Sequence, residues 1–147
     1  MPVSGRKPKP PGEAITRHAQ QFEWTEVEDV PFPGPVPVRL PASRPILVLG
    51  EARDVPLHGF TKRWWKTISH MPHCRLWTMS DWEFALTTAM VADQFFYGHA
   101  QLATELARRE KVLGVTFDAR RDLRIRYVEP KAASGDGATV IHLARAL

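Results

Sequence analysis

Apolar residues return every three or four positions over most of the stretch that begins at Phe60, and this spacing predicts helices. Trp64, Trp65 and Ile68 form a stripe among Lys62, Arg63 and Lys66, which predicts a first helix from about Thr61 to His70. Ser80 followed by Glu83 matches a capping box, with Asp81 suited to the positive end of the helix dipole. From that start Trp82, Leu86, Ala89 and Asp93 recur at helical spacing, and Ala85, Phe96 and Tyr97 widen the apolar face.

Gly98 and His99 break the pattern. A third helix is expected from about Ala100 to Leu113, with Lys111 in its last turn and Gly114 as a left-handed cap. The two together read as a helical hairpin; a single helix bent at Gly98 is the competing reading, since an interior glycine costs only about 1 kcal/mol. Thr116 is placed to cap a short helix over Phe117 to Asp122, whereas Leu123 to Tyr127 alternate as a strand does. Pattern alone leaves helix and strand both open for this closing element. Pro130 ends it, and Ser134 to Ala138 reads as a flexible segment before a short apolar tail.

The first half has a different character. Eleven of the thirteen prolines lie between Pro2 and Pro56, and the run Pro31 to Pro41 cannot supply consecutive backbone donors to a helix or central strand. It is expected to be extended rather than packed, with residues 1 to 20 mobile. Phe22, Trp24 and the run Ile46, Leu47, Val48, Leu49 are candidates to dock on the body or on a neighbouring subunit. The expected fold is mainly α: a proline-rich arm over 1–57, a helical core over 58–129, a short basic closing helix or strand, and a flexible tail over 130–147. One core is expected at this length.

A net charge of +4 favours polyanionic partners without identifying one. Its distribution says more: Arg108 to Lys131 holds eight Lys or Arg against four acids. Arginine predominates there, which fits bidentate phosphate contacts and equally fits salt bridges between subunits. Near the amino terminus Arg6, Lys7 and Lys9 sit among prolines that keep the backbone extended, a form able to follow a phosphate line. The candidate nucleic-acid contacts are therefore Arg6, Lys7, Lys9, Arg120, Arg121, Arg124 and Arg126. Trp82, Phe96 and Tyr97 are the candidate oligomerisation residues.

Catalytic chemistry finds little support. No two glycines are five apart, so the phosphate-binding loop of nucleotide hydrolases is missing. His70, His73 and Cys74 lie close in sequence, with His58 or His99 as a fourth ligand, but without paired Cys-x-x-Cys or a two-histidine helix motif the metal reading is the weaker one. No serine sits in a nucleophile elbow, and Glu105, Glu110 and Asp118 read as a solvated face pairing with Arg108, Arg109 and Arg121. No cofactor, metal or catalytic residue is expected. A single cysteine, no apolar leader after Lys9 and no apolar run of about 18 residues or more lead us to expect a cytosolic protein off the membrane.

Three stretches carry a resemblance to a known family: the start GRKPKP, the tryptophan-led segment from Trp77 through Ser80, Asp81 and Trp82, and the run from Ala103 to Pro130 with Leu113, Gly114, Val115 and Thr116 leading to Arg120 and Leu123. They resemble the small terminase subunits of tailed bacteriophages, in particular the P27-like group of actinobacterial phages. The resemblance implies a non-catalytic, ring-forming homo-oligomer in the host cytoplasm. It would recognise double-stranded viral DNA and deliver it to a large terminase subunit that holds the ATPase and nuclease. A head-assembly or structural phage protein, or a small DNA-binding transcription regulator, are the alternatives.

Overall fold

The computed structural model describes residues 23–131, so the expectations for Phe22, the amino-terminal cations and the tail from residue 132 lie outside the described residues. Four strands and four α-helices follow in the order β1 (Thr25–Glu28), β2 (Ser43–Val48), β3 (Glu51–Pro56), α1 (Gly59–Ile68), α2 (Met79–Phe96), α3 (Ala103–Val112), α4 (Phe117–Asp122) and β4 (Ile125–Val128). Short 3-10 turns at Pro72–Leu76 and Ala100–Leu102 lie between helices. The architecture is mixed α/β, which corrects the mainly α expectation. The difference comes from the first half and the closing element, both of which enter ladders.

The helices form where the spacing placed them, with shifted ends. α1 begins two residues early because the His58 ring accepts from the Phe60 N–H at 3.1 Å. α2 is capped by Thr78 rather than Ser80: the Asp81 carboxylate takes the Thr78 backbone N–H at 2.7 Å, a capping box two residues earlier than the Ser80/Glu83 pattern. Gly98, at φ 107°, turns the chain, and α3 packs back along α2 as the expected hairpin.

The closing element resolves as both alternatives in series. The Thr116 hydroxyl accepts from Ala119 N–H and starts α4; Arg124, at φ 57°, then redirects the chain into β4. β4 pairs in parallel with β1, Thr25 opposite Ile125 and Glu28 opposite Val128, so the helical body is the crossover between them.

The proline run is extended yet packed, contrary to expectation. Pro31, Pro33, Pro35 and Pro37 face solvent, where their missing donors cost nothing, while Phe32, Val36, Val38 and Leu40 are half-buried. Val36 and Val38 pack on both core clusters: Trp65, Ala85, Ala89 and Leu113, and Ile68, Met71, Cys74 and Trp82. The strap thus closes the apolar face that the helices leave open.

β2 and β3 form an antiparallel hairpin with Val48 opposite Glu51 and a two-residue turn at Leu49 and Gly50. Its base is held by the carboxylate of Asp93, which is fully buried on α2. That group accepts from Arg44 Nε at 2.6 Å, His58 N–H at 2.7 Å and Thr61 Oγ1 at 2.7 Å. Burial alone would push the Asp93 carboxyl up, but the hydrogen bonds of Thr61, Arg44 and His58 and the Arg44 charge outweigh it and hold it below the usual range.

Candidate nucleic-acid interface

Backbone geometry fixes how the expected carboxy-terminal cations are used. Arg120 donates from Nη1 to the carbonyls of Gly114 (3.2 Å) and Val115 (2.9 Å), and its guanidinium lies 4.7 Å from the centroid of the Tyr127 ring. It satisfies two carbonyls of the turn between α3 and α4. Arg126 pairs with Glu26 across the β1–β4 ladder. Arg121 and Arg124 are half-buried and each is engaged in an interaction of its own. These four do not form one exposed face: two sit on α4, one is the joint and one is on β4.

His73 lies at the centre of this corner and is buried. Its Nε2 lies 2.8 Å from the Leu113 carbonyl, which can only accept, so Nε2 carries the proton. Nδ1 then accepts from the Tyr127 hydroxyl at 2.6 Å. Burial lowers the His73 pKa, and the Arg120 charge adds to this against the favourable hydrogen bond to Leu113. Both ring nitrogens are occupied by protein partners. Burial likewise pushes the Cys74 thiol up to about 12, and Sγ donates to the Ile68 carbonyl at 3.1 Å. Protonated at neutral pH, Cys74 is a poor nucleophile or metal ligand. Among the described residues no three His, Cys, Asp or Glu side chains are grouped to hold a metal ion.

A second cationic surface stands on α1. Lys62, Arg63 and Lys66 are exposed and fall within about 100° of arc, with His70 continuing the same side one turn later. The opposite side is fixed inward: Thr61, Trp65 and Ile68 are buried, and Trp64 Nε1 donates to Glu110 of α3 at 2.8 Å. Arg63 stacks on the Phe60 ring at 4.9 Å, leaving an aromatic beside the cations. No Asp or Glu occurs from Val55 to Ser80, so no acid of this segment neutralises the face. This signal was present in the sequence as an absence of acids, not as a concentration of cations, and the expected site residues did not include it. A helix presenting three exposed cations beside an exposed aromatic ring can contact a phosphate backbone.

The expected oligomerisation residues separate. Trp82 is inside the chain's own core, 3% exposed, against Phe32 and Trp77. Phe96 is half-buried and meets Phe60 edge to face, while Tyr97 is exposed and its hydroxyl donates to the Pro56 carbonyl at 2.6 Å.

The sequence matches the family model for phage terminase small subunits over residues 4–146. No curated protein and no solved structure matches the chain.

Proposed function

The chain belongs to the phage terminase small subunit family, and from that premise we propose that it is a non-catalytic, DNA-binding homo-oligomer of the P27-like type. It recognises double-stranded viral DNA and regulates the ATPase and nuclease of a large terminase subunit in the host cytoplasm. Family membership itself assigns the chain to phage DNA packaging. The observation that carries DNA binding is the cationic face of α1, a segment with no acid of its own, where Lys62, Arg63 and Lys66 are exposed on one side of a helix anchored by Trp65, Ile68 and Trp64. Phosphate contacts release counterions and supply most sequence-independent affinity, and such a face suits them.

Arg6, Lys7 and Lys9 of the GRKPKP stretch are further candidate phosphate contacts in this reading. Arg120, Arg121, Arg124 and Arg126 are at most secondary contacts, since Arg120 and Arg126 are held by Gly114, Val115 and Glu26, and Arg121 and Arg124 are each engaged within the chain as well. Among the described residues no helix is long and apolar enough to cross a membrane.

The reading is tested by adding the purified chain to an ATPase-bearing large subunit with duplex DNA. Stimulated turnover, with none from the chain alone, is the expected result. ATP or DNA cleavage that follows the chain through purification, and is abolished by changing one of its own residues, would overturn the non-catalytic assignment.

A further inference from the structure

The large apolar side chains left in solvent gather toward the two ends of α2. Leu47 and Leu49, 77% and 100% exposed, lie on the hairpin that Asp93 and Tyr97 fix to the carboxy-terminal end. Met79, Val112 and Phe117 lie toward the other end, where α2 begins and where α3 closes on it through Arg109, which contacts Thr87 and the Phe84 ring. The 18 residues of α2 separate these ends by about 27 Å.

The hairpin tip breaks two local rules at once. Its turn places Leu49 at φ 52° and Gly50 at φ 83°, a conformation for which Asn-Gly or Asp-Gly is the favoured pair. Leu49 is strained there, and among the described residues its fully exposed side chain finds no packing that repays the strain. Among the described residues both hairpin edges are also unpaired, since β2 and β3 ladder with each other alone. A local conflict with no gain inside the chain points to a gain outside it.

The two ends differ in charge as well as shape. Beyond Arg44 the hairpin carries Glu51 and Asp54 against Arg53, whereas residues 108–124, which include the Phe117 corner, hold six Lys or Arg against three acids. With Arg53 beside Glu51, Asp54 leaves the protruding apolar tip slightly acidic, which complements the basic-apolar corner at the other end, a pair that one molecule cannot close on itself. We propose that the hairpin of one copy docks, through Leu47 and Leu49, on the α3–α4 corner around Phe117 of a second copy, head to tail. Such a contact is heterologous, so it closes into a ring or extends into a chain. The proposal rests on the reading of the chain as a self-assembling subunit and names the surfaces used.

Leu49→Asp and Phe117→Asp are the tests, since both side chains project into solvent in the single subunit. Light scattering should show the wild-type chain as an oligomer and each variant as a monomer, with association weakened at least about tenfold. An equimolar mixture of the two variants should form a dimer and nothing larger, because one copy keeps a sound hairpin and the other a sound corner. Leu49→Asn should also weaken association while holding or raising the thermal midpoint of the monomer, which separates a damaged interface from a damaged fold. A wild-type oligomer that both aspartate variants leave intact, or a mixture that stays monomeric, overturns this interface but not self-assembly. A wild-type chain that is monomeric throughout the concentration series overturns both.

Discussion

Arg44 Nε and the Asp93 carboxylate meet at 2.6 Å across 49 residues of sequence, with the Asp93 side chain fully buried and that of Arg44 15% exposed. This pair joins the hairpin to α2, and the same carboxylate orders the entry to α1 through His58 and Thr61. Asp93→Asn should destabilise the fold by about 3 kcal/mol, the low end for a broken buried pair because Arg44 can still reach water. Urea unfolding measures it; a loss under about 1 kcal/mol would mean that the clamp contributes little. The lowered Asp93 pKa adds a pH signature. Its contribution is complete above the unfolded carboxylate value near 4, is lost as pH falls through the lower folded value, and should be absent from the variant.

His73 gives a limb of the same sign at higher pH. A base held neutral binds fewer protons when folded, so stability is complete above about pH 6.5 and declines below it, by at most about 1.4 kcal/mol per unit, until the folded pKa is reached. Unfolding measured between pH 7.5 and 5.5 should show this decline in the wild-type chain. His73→Gln should be less stable throughout but flatter over that range; an equally steep variant would place the titration elsewhere.

Gly114 combines a left-handed φ of 70° with close packing: a Cβ there would lie 3.0 Å from His73 Nε2 and 3.2 Å from Leu123 Cδ1. Gly114→Ala should therefore cost about 2 kcal/mol or more. Gly59→Ala is its control, because nothing lies within 4 Å and no left-handed φ is involved. That change should be neutral or stabilising by up to about 1 kcal/mol. Thermal melts of the two variants should diverge in sign or clearly in size, and equal losses would contradict the packing argument.

The helices were legible because their apolar spacing is long enough to outweigh local noise. The start of α2 was displaced by two residues because Ser80 and Glu83 imitate the box that Thr78 and Asp81 actually form. The β2–β3 hairpin was hidden by Pro45 within a strand and by leucine where a turn residue belongs, each the reverse of the usual signal. The β1–β4 pair could not be read locally, since Thr25 and Ile125 are a hundred positions apart and parallel pairing leaves no turn to mark it. A count of cations points to Arg120 and Arg126, whose partners only the folded chain reveals: carbonyls of the turn between α3 and α4, and Glu26 on β1.

Duplex binding by the α1 face is the central claim, and the salt dependence of binding tests it most directly. Fluorescence anisotropy of a labelled duplex, titrated at several salt concentrations, yields the slope of log affinity against log salt. Replacing Lys62, Arg63 and Lys66 together by glutamine should weaken binding and flatten that slope by up to about 2.7 units, near 0.9 for each phosphate no longer neutralised. Arg126→Gln, a change in a cation already paired with Glu26, should move it by well under one unit. An unchanged slope in the triple variant, with its fold intact by circular dichroism, would contradict the account and place the DNA-binding surface on other cations of the chain.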